Sequence, residues 1–561
     1  MKLNTKKIGY LISAIIIASL IFGGGYFIPT SVICLIPLLV IINILLFKSR
    51  SIKISFDINF ISVLLLSVFY LVTTLWAIDK GTALIGFVKF IPVLFLLIAL
   101  YYVDSEIENI IQLLPYLGTI MTILSFLMMQ FKVYKPYVEV AGRLSGFFQY
   151  PNTYALFLLV CIVVSSFNLG KGQNRINIIN IAVACFGIYL SGSRIVFAMS
   201  VFYAVYFVLK NRNGNKMFFI GFFVLVAILF VFMIFIGNNK GITHILSTNL
   251  STLWGRLLYY RDGVLYILKH PFGVGYLGYA FVQYEFQTGV YTVLNIHNEL
   301  LQLMLDIGWV PAILFYVAII RSIFSKTIKN RNRVVLIIIA FHSLLDFDFQ
   351  FISIMFILLL FLENKEIKEY KISVFTKFMA VFVTVLLSFI SIKIGTSEFY
   401  NITKKYDKAI EYYDGNTIAK TNKLKSVPDD LEVESLAKEI IEGNKHVPMA
   451  YNALARACFL NGDIEGYIKN KDIALKLSPY SFEEYEEYVE VMYYCCLEYK
   501  SMNDFNSAKM CAQKLNTIPD ILNAVEEKTS KLGWMIRDIP RVRLSSTQIK
   551  MIEEAQKEIY E

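Results

Sequence analysis

Residues 334–362 read VVLIIIAFHSLLDFDFQFISIMFILLLFL, two apolar runs interrupted by His342, Asp346 and Asp348. A bilayer core about 30 Å thick takes roughly 20 mainly apolar residues per helix. A single span over this stretch sets the polar residues near the bilayer centre, where an ionised carboxylate costs about 2.5–3.5 kcal/mol. A hairpin of two short helices, 334–347 and 350–362, carries the two aspartates to the surface at its tip. The hairpin is therefore the expected arrangement. It returns the basic stretch that follows it (Lys365, Lys368, Lys371) to the side of the one that precedes it (Arg321, Lys326, Lys329, Arg331, Arg333).

The same apolar texture extends outward over most of the chain. Of 561 residues, 57% are hydrophobic and 17% charged, against about 25% charged in an ordinary soluble domain. Candidate spans centre on 8–28, 30–47, 58–78, 83–102, 107–130, 152–168, 176–191, 195–210, 217–237, 299–320 and 373–394, besides the hairpin. The expected fold is all-α: a polytopic membrane bundle of about 12–13 helices, followed by a soluble helical domain. The first run follows Lys2, Lys6 and Lys7 as a signal peptide does. Its end, Gly23-Gly24-Gly25, lacks a small-x-small cleavage pattern and further spans follow at once, so it reads as a retained helix. Composition changes near residue 395. Residues 1–395 read as the transmembrane domain, with 238–298 as its large loop, and 396–561 are rich in Lys, Glu, Asp, Asn and Tyr.

Lys and Arg collect on the cytoplasmic side of membrane proteins. With the N-terminus inside, the inner loops carry Lys48, Arg50 and Lys53, then Lys171 and Arg175, then Lys210, Arg212 and Lys216, then the two stretches flanking the hairpin. The net charge of +10 is mostly this bias and does not point to nucleic acid. The last helix then runs outward and leaves 396–561 extracytoplasmic.

A different polar set falls on the outward side: Arg143, Arg194, Arg256, Arg261, His270, Gly273, Gly275, His297, Asn298, His342 and Asp346. Arginine presents a fork of donors matched to phosphate oxygens. Glycine lets backbone approach a ligand closely, and a histidine titrating near neutrality accepts a proton from an attacking hydroxyl. Together these parts fit group transfer from a lipid pyrophosphate. Each also has a plainer reading. An outward arginine anchors to lipid phosphate, Gly273-x-Gly275 makes a turn, His342 packs inside the bundle, and the aspartates end a helix. It is their coincidence on one side that favours a site.

Five pieces occur in the order of a known family. They are Arg143-x-x-Gly146-x-x-x-x-Pro151-Asn152; Ser193-Arg194; Arg256 and Arg261 through Pro271-x-Gly273-x-Gly275; His297-Asn298 with Gly308 beyond; and His342-Ser343-Leu344-Leu345-Asp346-Phe347. In this the chain resembles the O-antigen ligase and polymerase-like proteins of bacterial membranes. Pro311 stands where that family usually has a further glycine. The resemblance implies a cofactor-free, metal-independent glycosyltransferase at the outer face of the cytoplasmic membrane. Its donor would be a glycan on undecaprenyl pyrophosphate and its acceptor a glycan, lipid or protein. Polymerase activity is preferred over a ligase or a protein oligosaccharyltransferase. By the same resemblance His297 is the base or acceptor-orienting residue, and Arg143, Arg194, Arg256 and Arg261 hold the pyrophosphate. Gly273, Gly275, Asn298, His342 and Asp346 support them.

In the C-terminal region, Ala450-Tyr451, Leu454-Ala455, Cys458, Gly462-Asp463, Tyr467, Ala474-Leu475 and Pro479 fit one tetratricopeptide-type repeat. A helical domain of another kind is the alternative. Such a domain binds a partner protein or the growing glycan. The adjacent pair Cys495-Cys496 argues against a disulfide framework. Two other functions compete: a transporter or flippase for lipid-linked sugar, which places ionisable groups at mid-membrane, and a non-catalytic scaffold displaying the helical domain.

Overall fold

The computed structural model describes residues 5–49, 51–210, 251–363, 367–427 and 431–560. The candidate span 217–237 and the start of the large loop lie outside the described residues. The chain is all-α, and among the described residues the few strands form two short antiparallel pairs. Among the described residues, six helices are long and apolar enough to cross a membrane: Ile28–Ser49, Ile58–Leu75, Lys80–Leu100, Asp104–Met128, Asn174–Ser191 and Val374–Ile402. Pro151–Phe167, Trp309–Phe324 and Ile352–Phe361 are shorter apolar helices. In hydrocarbon every backbone N–H and C=O must be paired within the chain, which a helix does by itself.

Contacts divide the chain into two compact units. The first comprises Met1–Val72, Ile85–Thr248 and His297–Phe399; the second comprises Thr73–Leu84, Asn249–Ile296 and Tyr400–Glu561.

Within the first unit residues 334–362 double back. Helix Asn330–Ser343 leads through a short turn into Ile352–Phe361, and the Asn332 side chain reaches the Phe361 carbonyl at 3.5 Å. The far ends of the two helices therefore meet, as a hairpin requires. The expected span 299–320 is instead two helices, Glu299–Ile307 and Trp309–Phe324, separated by Gly308 at φ 87°. That backbone conformation ends the first helix one residue before the second starts.

The bundle has two unlike ends. At one, Ser51–Ile54 pairs with Lys368–Lys371 and Asn59 donates to the Glu363 carbonyl at 2.6 Å. Arg331 grips both oxygens of Glu108 at 2.5 and 3.0 Å, and Lys329 joins it at 3.1 Å. Tyr116 reaches Gln173 at 2.9 Å, which adds the Lys171–Arg175 loop. Basic loops far apart in sequence thus share one end.

The opposite end is built on a glycine turn. Gly23, Gly24 and Gly25 all have positive φ and join helix Thr5–Ile21 to Ile28–Ser49. A Cβ on Gly24 would lie 2.3 Å from the Phe148 ring, so the backbone can sit there only without a side chain. The Gly24 carbonyl accepts from Ser353 Oγ at 2.5 Å, tying the turn to the hairpin tip.

In the second unit, helices Leu431–Gly443, Pro448–Leu460 and Ile464–Leu477 pack in sequence, and Phe482–Ser501 pairs with Phe505–Lys528. Capping explains where they start. Asp463 accepts from Gly466 N at 2.8 Å and Asp504 from Ser507 N at 3.1 Å. Tyr467, Tyr485, Tyr488, Met492, Cys496 and Leu515 form the main core. The segment 73–84 belongs to this unit: Tyr413 donates to the Gly81 carbonyl at 3.1 Å, and Asn444 to Asp79 at 3.1 Å.

Gly24→Val is expected to overpack the turn against Phe148 and to cost about 1–3 kcal/mol. Thermal unfolding of the detergent-solubilised protein reads this directly. An unchanged midpoint would mean that the turn is not packed as described.

Candidate functional site

Arg143 is placed by a two-residue turn. Glu139–Val140 pairs with Arg143–Leu144, and Ala141 and Gly142 between them have φ of 53° and 78°, the pattern of a tight hairpin. From there Arg143 Nε donates to the Ser191 carbonyl at 2.6 Å and Nη2 to Asn152 Oδ1 at 2.6 Å. Ser191 ends a helix closed by left-handed Gly192, and Arg194 opens the next helix two residues on. Burial is the main cause that draws the Arg143 pKa below its ordinary value; Tyr150 and Asp346 oppose it, and the like charge of Arg194 adds to it.

The other face of the Asn152 amide donates to Asp346 Oδ2 at 2.8 Å. Asp346 Oδ1 accepts from Tyr150 OH at 2.8 Å and from the Phe347 N–H at 3.0 Å. Asp346 is wholly buried. This corrects the expectation that the hairpin tip carries its aspartates to the surface. A buried carboxylate needs donors, and Tyr150 and Asn152 supply them. Arg143 is thus coupled to a carboxylate through an amide, and both of its own recorded acceptors are neutral.

His297 meets the same cluster from another side. It sets its ring edge-on to Phe347, centroids 5.1 Å apart, and Phe347 lies 4.6 Å from Tyr150. Asn298 Oδ1 accepts from Leu301 N at 3.0 Å, capping helix Glu299–Ile307. The cap fixes where the chain enters the helix and so where His297, just before it, stands. Beside this, His342 Nδ1 lies 2.6 Å from Asp348 Oδ2, and Thr153 donates to Asp348 Oδ1 at 2.8 Å. His342 and Asp348 are both fully buried, and the pair sits inside the hairpin tip. Asp346 and Asp348 are two residues apart, yet their recorded partners differ.

Several participants carry no motif. Lys89 Nζ donates to Gln350 Oε1 at 3.2 Å, and Gln350 Nε2 to Glu299 Oε1 at 3.0 Å. Lys89 also lies 4.7 Å above the Tyr26 ring. All three side chains of this chain are buried. One sign was available in the sequence, because Lys89 is the lone charge between Gly81 and Leu100.

The remaining expected residues lie in the second unit. Helix Ser251–Lys269 carries Arg256 and Arg261. Arg261 Nη1 donates to Thr288 Oγ1 at 3.0 Å and approaches Asp262 at 3.5 Å. Asp262 is buried, which raises its pKa, and it accepts from Thr288 N at 2.8 Å and Tyr291 OH at 3.2 Å. Gly273 and Gly275 have φ of 77° and 86°. The Gly273 carbonyl accepts from Trp76 Nε1 at 3.2 Å, and a Cβ on Gly275 would lie 2.5 Å from Ala77 Cβ. The close neighbour of this turn is the protein's own 73–84 segment.

Residues 179–316 match the family model described as O-antigen ligase. The match includes Arg194, Arg256, Arg261, Gly273, Gly275, His297 and Asn298, while Arg143, His342 and Asp346 lie outside it. No curated protein matches the chain.

Asn152→Leu removes the donor to Asp346 and the acceptor of Arg143 together. It is expected to cost about 1–3 kcal/mol of stability for each buried group left unpaired. Thermal unfolding in detergent measures this, and a neutral substitution would show that the amide bridge is not formed.

Proposed function

We propose that this multi-pass membrane protein, whose residues 179–316 match the O-antigen ligase model, is a glycan-processing enzyme that transfers a glycan from undecaprenyl pyrophosphate to an acceptor hydroxyl at the outer face of the cytoplasmic membrane. The observation that carries this reading is the gathering of Arg143, Arg194 and His297 around the Asp346 clamp, at the end of the bundle opposite the basic loops. Positive charge at the other end is explained by orientation. Here it is not.

The chemistry follows from the parts. The acceptor hydroxyl oxygen attacks the anomeric carbon as the bond from that carbon to the pyrophosphate oxygen breaks. The electron pair leaves with undecaprenyl pyrophosphate, and the hydroxyl proton passes to His297. Arg143 and Arg194 meet the charge growing on the leaving oxygens. No metal ion is assigned a role, because the arginines supply the counter-charge. Direct attack inverts the anomeric configuration.

Polymerisation, in which the acceptor is itself a lipid-linked glycan, is preferred over transfer to another lipid or to protein. Residues 396–561 are assigned to the extracytoplasmic side as a tetratricopeptide-like helical domain. A flippase places its ionisable groups at mid-membrane. Here Arg194 opens a helix, and Arg143 and Asp346 lie in the turns between helices, which favours the enzyme.

Proteoliposomes given a lipid-pyrophosphate oligosaccharide test this. Repeated elongation is expected, and His297→Ala and Arg194→Ala should each lower the rate about 100-fold or more. Single transfer to a lipid or protein hydroxyl would replace polymerase with ligase. Full activity in both variants would refute the site.

A further inference from the structure

We propose that the second unit holds a separate binding cleft for a neutral stretch of glycan, the acceptor or growing chain of the reaction above. The inference rests on that reading for the identity of the occupant and on the cleft itself for the existence of a site. The cleft has a volume of about 550 Å³, within the roughly 300–1,000 Å³ of small-ligand sites. One wall is helix Gly278–Phe286, which presents Phe281 and Tyr284. This helix lies inside the region that matches the O-antigen ligase model. The other walls come from the C-terminal helices, through Asn422, Asn452, Leu475 and Ser478.

The lining matches a sugar's own two-sided chemistry. A pyranose has apolar C–H faces and a rim of hydroxyl groups. Phe281 is anchored in the apolar cluster around Leu436, Ile440 and Val447, so it forms a fixed apolar floor, with Leu475 beside it. Around that floor stand two side-chain amides and a serine hydroxyl, which both give and take hydrogen bonds. Asn452 Oδ1 is buried with no hydrogen-bond partner among the described residues. A buried acceptor without a donor is rare in folded proteins, and a sugar hydroxyl supplies one.

Charge argues against an anionic occupant. Glu484 on the rim is held by Lys471, and His446 by Glu285. Lys425 is the remaining cationic side chain of the lining. No cluster of arginines of the kind expected for phosphate lines this cleft among the described residues. The cleft is therefore suited to the repeating sugar and not to its lipid pyrophosphate.

The probe is the free oligosaccharide released by mild acid from the lipid-linked donor of the source cells. It is titrated calorimetrically into the full-length protein in detergent. Wild type should bind it, and Asn452→Leu and Tyr284→Ala should each weaken binding at least tenfold. Thermal unfolding of each variant confirms that it is folded, and Lys425→Ala, on the exposed rim, serves as a milder second probe of the same wall, expected to weaken binding less than tenfold. No binding by wild type, or equal binding by all folded variants, overturns the proposal. So does cross-linking of a peptide at Tyr284 that the oligosaccharide fails to displace. Transfer is assayed on the same preparation. Oligosaccharide binding without any transfer would sink the glycosyltransferase reading while leaving the cleft in place.

Discussion

Burying a carboxylate is costly unless hydrogen-bond donors meet its oxygens, and Asp346 is where this protein meets that demand most visibly. Its two oxygens take the Tyr150 hydroxyl, the Asn152 amide and a backbone N–H. Because Asn152 also accepts from Arg143, the carboxylate sets the arginine's position without neutralising it by direct contact. Arg143 then reaches back to the end of the helix that precedes Arg194. Three segments far apart in sequence, 143–152, 191–194 and 346–347, are tied together through one side chain at the tip of a hairpin.

That arrangement depends on the hairpin, and the hairpin depends on the membrane. A helix crossing the bilayer cannot carry His342, Asp346 and Asp348 through its centre cheaply. Turning back at these residues places them with the other polar groups of that end and returns the chain to the end where Arg331 and Lys329 meet Glu108. The asymmetry of the bundle is thus one constraint expressed twice. Basic loops collect at one end, while Arg143 on neutral acceptors and a capped helix collect at the other.

Much of this was legible in sequence because apolar length and the order of polar interruptions are local properties. The runs around Ile28–Ser49, Asn174–Ser191 and Val374–Ile402 announce their helices, and Asp463 and Gly462 announce the turn between two C-terminal helices. The partners of Asp346 were not legible, since they come from a segment nearly two hundred residues earlier. Lys89 and Glu299 were likewise hidden, because their link through Gln350 exists only once three segments pack. Gly273 and Gly275 signalled a close backbone approach in their turn. Their neighbour is the protein's own chain.

The central claim is that the end bearing Arg143, Asp346 and His297 faces out of the cell and the basic end faces in. Single cysteines report it most directly. With the partly accessible native Cys185 and Cys458 replaced by serine, V140C stands beside Arg143 and E369C on the basic end, both at exposed positions. A membrane-impermeant maleimide applied to intact cells should label V140C and reach E369C only after lysis. Labelling of E369C in intact cells, with V140C protected until lysis, would reverse the orientation and remove the outer-face site.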